Sequence, residues 1–154
     1  FSPHGLCLLE FADQKTLDRE LRALNAHYRP SAITAVENEA ATALRRQLDE
    51  YFAGSRQQFD LPLDLVGTPF QKQVWHILLD IPYGQTRSYK AQAEIFGNAK
   101  AVRAVAAANG ANKISIIVPC HRVIGSSGRL TGYAGGLPRK QALLNLESGN
   151  ASLF

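Results

Sequence analysis

Between Pro69 and Asn109 the apolar residues recur at helical spacing, and glycine-bearing turns cut the run into short pieces. Pro69 is a favoured first-turn residue. Phe70, Val74, Trp75 and Leu78 follow it on one face, which predicts a helix over 69–79 with Trp75 in the core. Ile81-Pro82-Tyr83-Gly84 reads as a turn. A second helix is predicted over 88–96, a break at Gly97-Asn98, and a third helix over 99–109. Two short helices joined by a tight glycine turn make a helix-turn-helix pattern. The fold is therefore mainly helical from residue 68 onward.

The preceding residues follow a different pattern. Leu6–Phe11 predicts a strand, and 16–28 a helix carrying Leu17, Leu21 and Leu24. Pro30 opens a loop over 29–36. A helix over 37–53 carries Ala40, Leu44, Leu48 and Phe52 and stops at Gly54. Phe59–Leu65 alternates apolar and polar residues, and Pro62 restricts such a strand to a sheet edge. The expected class is thus α/β (α+β): a small α/β lobe over 1–67 with a supporting role, and a mainly helical domain over 68–154. A chain of 154 residues can bury one good core and hold two small lobes. The chain starts at Phe1 and runs almost at once into a lone strand, which suggests a fragment of a longer protein. No apolar run approaches a membrane span and no signal peptide is visible. Two cysteines, Cys7 and Cys120, are too few for a disulfide framework and fit a reducing compartment. A cytoplasmic, nucleoid-associated monomer is expected.

Charge divides along the same line. Residues 1–67 hold seven Lys/Arg and ten Asp/Glu; residues 68–140 hold ten Lys/Arg and only Asp80 and Glu94. Such asymmetry points to a polyanionic partner, nucleic acid first, although a solvated basic face explains charge alone equally well. The second helix of the helix-turn-helix would be the one placed on DNA. It carries almost no long side chains apart from Lys100 and Arg103. A major-groove reader needs several polar side chains for base edges. One projecting arginine on a slim helix suits minor-groove binding and unstacking instead. Packing into a protein core is the competing reading.

Residues 119–123 read Pro-Cys-His-Arg-Val, after the apolar run Ile114-Ser115-Ile116-Ile117-Val118 and before the turn-rich Gly125-Ser126-Ser127-Gly128. A buried strand ending in a cysteine beside a histidine is placed for thiolate chemistry. The thiolate is the nucleophile, so neighbours that take its proton make it useful. A structural cysteine beside a solvated His-Arg pair is the alternative. An adjacent cysteine and histidine point apart in an extended segment. Cooperation between them requires a bridging water or a turn. No cofactor motif is present, and the histidines and cysteines show no ligand-spaced pair for a catalytic zinc.

From Thr68 to Glu147 the chain resembles the O6-alkylguanine-DNA alkyltransferases, also called methylated-DNA–protein-cysteine methyltransferases. The matching residues occur in order: Pro69-Phe70-Gln71, Val74-Trp75, Ile81-Pro82-Tyr83-Gly84, Thr86, Ser88-Tyr89, Ala101-Val102-Arg103-Ala104-Val105, Asn112, Pro119-Cys120-His121-Arg122-Val123, Gly132-Tyr133-Ala134-Gly135-Gly136-Leu137, Lys140, Leu143-Leu144 and Glu147. The first lobe matches loosely, as a truncated RNase H-like lobe, and Gly5–Asp13 resembles that lobe in Ada-type proteins.

The resemblance implies a suicide enzyme without cofactor or metal, acting on O6-alkylguanine, and on O4-alkylthymine, in double-stranded DNA. Cys120 would accept the alkyl group. His121 would take the thiol proton through a water, Glu147 would orient the histidine, Asn112 would hold the loop, and Tyr89 would stabilise the leaving base. Tyr133, Ala134, Val123 and Arg122 would bind substrate. Arg103 would replace the extruded base in the stack, with Ser88, Lys100, Ala101, Val102 and Ala104 on the DNA. Base flipping costs a few kcal/mol, least at a damaged pair. Two other functions compete: a DNA-binding, alkylation-sensing domain of an Ada-type regulator, and a cysteine hydrolase using Cys120, His121 and Glu147. The basic helix-turn-helix half disfavours the hydrolase.

Overall fold

The computed structural model describes residues 1–149, so the final residues of the domain expected over 68–154 lie outside the described residues. Among these, α1 (Leu17–Tyr28) and α2 (Glu39–Phe52) belong to the first lobe. They are followed by α3 (Pro69–Leu79), β1 (Arg87–Ser88), α4 (Tyr89–Phe96), α5 (Val102–Gly110), β2 (Val123–Ile124) and α6 (Leu137–Glu147). Strands β1 and β2 pair in parallel, Arg87 with Val123 and Ser88 with Ile124.

The second half forms the helices its pattern predicts. Thr68 caps α3 in a reciprocal capping box with Gln71, with Pro69 in the first turn. Trp75 is buried, and its indole N–H donates to the Ala108 carbonyl at 2.8 Å, which ties α3 to α5. The α4–α5 turn is set by Gly97, whose φ of 95° closes α4 in a left-handed cap. Helix α5 starts at Val102, three residues later than the pattern predicts. Ala99 and Lys100 sit in a turn closed by the Ala101 N–H on the Asn98 carbonyl. Inside this subdomain Gln92 and Asn109 exchange hydrogen bonds at 3.0 and 2.7 Å, satisfying both buried amides.

The first lobe departs further from its pattern. The stretches expected as strands are extended but pair only at single bridges, Leu6 with Leu63 and Leu9 with Ile114. In α1 the buried side chains are Glu20 and Leu24, while Leu21 is 39% exposed. In α2 they are Gln47 and Tyr51, and Phe52 is 43% exposed. Each helix turns a polar-bearing face inward, because the lobe offers polar as well as apolar partners. Gln47, for example, both accepts from and donates to the Asp60 backbone.

One correction concerns the segment before the cysteine. Residues 114–118 are buried, but they form tight turns rather than a strand. Ile116 has φ of 72°, Ile117 N–H donates to the Ser115 carbonyl, and Val118 N–H donates to the Ile114 carbonyl. Asn112 is the cause. Its Oδ1 accepts from Ile114 N–H at 3.0 Å and its Nδ2 donates to the Val118 carbonyl at 2.8 Å. Both ends of the run are thereby drawn onto one side chain.

Candidate active site

The turns end at Pro119 and lead into a 3-10 turn over Cys120–Arg122. Arg122 N–H donates to the Pro119 carbonyl at 3.0 Å. This turn solves the problem of adjacent residues pointing apart. Cys120 reaches a pocket, while His121 and Arg122 fold back into the interior. Asn112 Nδ2 lies 3.4 Å from Cys120 Sγ, so the amide that shapes the loop also donates to the sulfur.

Glu147, the last residue of α6, collects the donors behind the cysteine. Its Oε1 accepts from His121 Nε2 at 2.7 Å, Tyr51 Oη at 2.7 Å and Arg122 Nη2 at 3.0 Å. Its Oε2 accepts from Arg122 Nε at 2.8 Å and Gly84 N–H at 3.3 Å. Burial alone would raise this carboxyl. The hydrogen bonds and charges of His121 and Arg122 outweigh it and hold the group at about 2. Burial pushes His121 below its usual value, with Glu147 opposing. The histidine is thus neutral near pH 7, and Arg122 is the charge partner of Glu147. A carboxylate can only accept, so His121 Nε2 carries the hydrogen and Nδ1 is the basic nitrogen. Nδ1 is buried without a hydrogen-bond partner among the described residues. Burial pushes the Cys120 thiol up to about 11, against the Asn112 hydrogen bond. The resting cysteine is a thiol and needs a base.

The pocket over Cys120 has a volume of about 510 Å³. Tyr89, Thr131, Tyr133 and Ala134 line one side of it, and Val102, Arg103 and Ala106 of α5 line another. The loop 131–134 hangs on Lys140, which is fully buried. Its Nζ donates to the carbonyls of Val123 at 2.5 Å, Thr131 at 3.1 Å and Gly132 at 3.3 Å, and lies 3.4 Å from Tyr89 Oη. Tyr89 Oη donates to the Thr131 carbonyl at 2.9 Å, and burial raises its pKa, so it stays a proton donor. Gly135 leaves no room for a side chain: a Cβ there would lie 2.6 Å from the Phe11 ring and 2.9 Å from that of Tyr133.

The structure thus brings Cys120, Asn112, Tyr89, Tyr133, Ala134, Val102 and Arg103 to the pocket or its floor, with His121 and Glu147 directly behind. Val123 presents its carbonyl to Lys140. Arg122 does not reach this pocket. Its guanidinium is spent on Glu147 and the Ile81 carbonyl, and it borders a separate groove with Pro82 and Tyr83. The Ser88 hydroxyl accepts from Ala91 N–H as the cap of α4. Lys100 and Ala104 are exposed and Ala101 half-buried around the start of α5. Sequence reasoning missed Tyr51 and assigned Lys140 no role. The signal for Tyr51 was the face Leu44, Leu48, Tyr51 on α2, one residue off the face read through Phe52. Among the described residues no group of three or more His, Cys, Asp or Glu is placed to hold a metal ion, and no helix is long and apolar enough to cross a membrane.

A helix-turn-helix half carrying a cysteine–histidine–carboxylate relay under a pocket defines a class of DNA-handling, cysteine-dependent proteins. Residues 69–149 match the family described as 6-O-methylguanine DNA methyltransferase, DNA binding domain, and residues 2–65 match its ribonuclease-like domain. The chain belongs to the 6-O-methylguanine DNA methyltransferase family. It is 52% identical over 147 residues to a methylated-DNA–protein-cysteine methyltransferase of Mycolicibacterium paratuberculosis, covering 95% of this chain and 88% of that one. A methyltransferase of the same name from Methanosarcina barkeri is 57% identical over 105 residues, 68% of this chain and 66% of that one. Among solved structures, Mycobacterium tuberculosis OGT in complex with DNA superposes with a TM-score of 0.80 at 46% identity, over 97% of this chain and 86% of that one.

Proposed function

We propose that this protein repairs alkylated DNA by moving the alkyl group from O6 of guanine to Cys120 Sγ, one group per protein molecule. The observation that carries the reading is the His121 Nε2–Glu147 hydrogen bond, which leaves Nδ1 as the basic nitrogen in the residue that follows a neutral thiol at the pocket floor. The thiol proton passes through a bridging water to His121 Nδ1, and Glu147 steadies the imidazolium as it forms. Sulfur attacks the alkyl carbon. The S–C bond forms as the C–O6 bond breaks, and the electron pair leaves on the base. Tyr89 turns its hydroxyl to N3 of the departing guanine, and Lys140 beside it supports the phenol as it gives up hydrogen-bond density. Tyr133 and Ala134 enclose the alkyl group. The resulting thioether has no basic leaving group, and no second cysteine reaches it: Cys7 is buried among Leu24, Val66 and Tyr28. The protein is used once.

Entry of the base requires flipping from the duplex. Arg103 stands at the pocket on α5 and fills the gap in the stack, with the small side chains of Ala101, Val102 and Ala104 around the start of α5 against the minor groove. Lys100 supplies contact to phosphate. O4-alkylthymine fits the same chemistry. The lobe boundary near residues 66–68 separates a supporting lobe from this machinery, although Tyr51 crosses it to reach Glu147. The Ada-type sensor is not favoured, since the M. paratuberculosis methyltransferase is itself covered to 88%.

Intact-mass spectrometry after incubation with DNA containing O6-methylguanine tests the proposal. The expected result is a gain of one methyl group, stopping at one equivalent and absent in Cys120→Ser. Repeated turnover, or binding with no gain of mass, overturns it.

A further inference from the structure

Leu9 is stitched to the segment that leads to Cys120. Its N–H donates to the Lys113 carbonyl at 2.9 Å, and its carbonyl accepts from Ser115 N–H at 2.8 Å. This register delivers the next residue, Glu10, onto Ser115, whose hydroxyl donates to Glu10 Oε2 at 2.6 Å. The other carboxyl oxygen, Oε1, is shut off from solvent and has no hydrogen-bond partner among the described residues. The Tyr133 phenol oxygen, on the wall of the Cys120 pocket, is in the same condition. A carboxyl from the first lobe and a phenol from the pocket thus flank one buried serine, each with unused hydrogen-bonding capacity. Unpaired buried polar atoms are costly, and such an arrangement calls for a functional reason.

The surroundings of Glu10 are mixed in sign. Gln14 from its own segment, Glu20 from α1 and Lys113 from the run before Ser115 all act on it, and on the pocket side it acts on Cys120 and Tyr133. Burial first, and the Glu20 charge, hold its carboxyl at about 7 against the hydrogen bonds of Ser115 and Gln14.

We propose that Glu10 is a positioning residue for alkyl transfer, holding the Ser115 hydroxyl at the back of the alkyl pocket and setting by its charge the electrostatic field at Cys120 Sγ. The inference rests on the methyltransferase reading above. When Glu10 is neutral, the sulfur and the departing base carry developing negative charge unopposed. When it is ionised, a buried anion faces that charge and slows the step.

Single-turnover methyl uptake from O6-methylguanine DNA, followed from pH 6 to 9, tests this in the full chain. Glu10→Gln is isosteric, keeps a partner for Ser115 and cannot ionise. Its rate relative to the parent is expected to be near one at pH 6 and to climb by pH 9, on the order of tenfold for each unit by which the Glu10 charge raises the thiol. Glu10→Asp keeps the charge and is expected to retain the parent's pH profile. Ser115→Ala removes the hydrogen bond that lowers the Glu10 carboxyl and is expected to move the fall in the parent's rate to higher pH. A ratio of the Glu10→Gln rate to the parent rate that is independent of pH, in a parent that takes up methyl normally, overturns the inference alone. A parent that gains no methyl overturns the underlying reading and this inference with it.

Discussion

Glu147 shows how one residue can serve both chemistry and fold. Five donors from α2, the Tyr83-Gly84 turn and the catalytic turn converge on its two oxygens. Because its folded pKa is depressed, its contribution to stability is complete above the ordinary carboxylate value. That contribution drains away as pH falls from 4.5 toward about 2. Converted at 1.4 kcal/mol per unit, this is roughly 3 kcal/mol. Urea unfolding between pH 6 and 3 is expected to show this acid loss in the parent and not in Glu147→Gln. The variant is also expected to be less stable at pH 7 by about 3–5 kcal/mol, since Arg122 is left buried without its counter-charge. A parent with no greater acid loss than the variant refutes the assignment. In the sequence, Cys120, His121 and Glu147 were legible because their chemistry is carried by residue type and by an ordered resemblance. Tyr51 was not, because a tyrosine on an amphipathic helix is ambiguous until the packing chooses between faces 44/48/51 and 44/48/52. Lys140 is equally silent in sequence: a lysine inside a helix reads as surface until its carbonyl acceptors are in view.

Element boundaries separate what local pattern dictates from what long-range contact imposes. Helices α3 and α4 begin at or within a residue of their expected starts because capping side chains, Thr68 and Ser88, mark them. Helix α5 begins late because Ala101 offers no cap and Asn98 closes a turn instead. The apolar run 114–118 reads as a strand by composition, but a single side chain six residues before Val118 overrides that preference. Two glycines that both have positive φ are expected to behave differently. Gly97 has open space around its Cα, so Gly97→Ala costs only backbone strain, about 1 kcal/mol, with methyl uptake per folded molecule unchanged. At Gly84 a Cβ would lie 2.9 Å from the Glu147 carbonyl oxygen. Gly84→Ala is therefore expected to cost more stability and also to slow alkyl transfer by displacing the end of α6. Denaturant melts and single-turnover rates on the pair check this, and equal effects on rate rule it out.

Across the whole molecule, the acidic lobe and the basic half meet at the single bridge Leu9–Ile114 and at the exposed pair Asp13–Arg139. The charge split was visible in the sequence, as was the division of labour it implies. Direct contact of the first lobe with the reaction centre was not, because it depends on which side chains cross the seam. The basic half is expected to bind duplex DNA with an affinity that falls linearly in log–log terms with salt. Lys100→Ala is expected to weaken binding on all sequences alike and to reduce that slope by about one, leaving the transfer rate on bound DNA intact. Fluorescence anisotropy titrations across salt concentrations measure it, and an unchanged slope removes Lys100 from the interface.

The contact of Phe11 with the bare backbone of Gly135 limits how the pocket can be redesigned. Residue 135 cannot be varied alone, because a single methyl group there collides with a ring from the other lobe and with the Tyr133 ring of its own loop. Libraries that vary position 135 should therefore vary positions 11 and 133 with it, with a smaller side chain at 11 introduced first. Single-site screening at 135 is expected to report a dead position, and recovery of methyl uptake when position 11 is made smaller as well would trace that loss to the contact between the lobes.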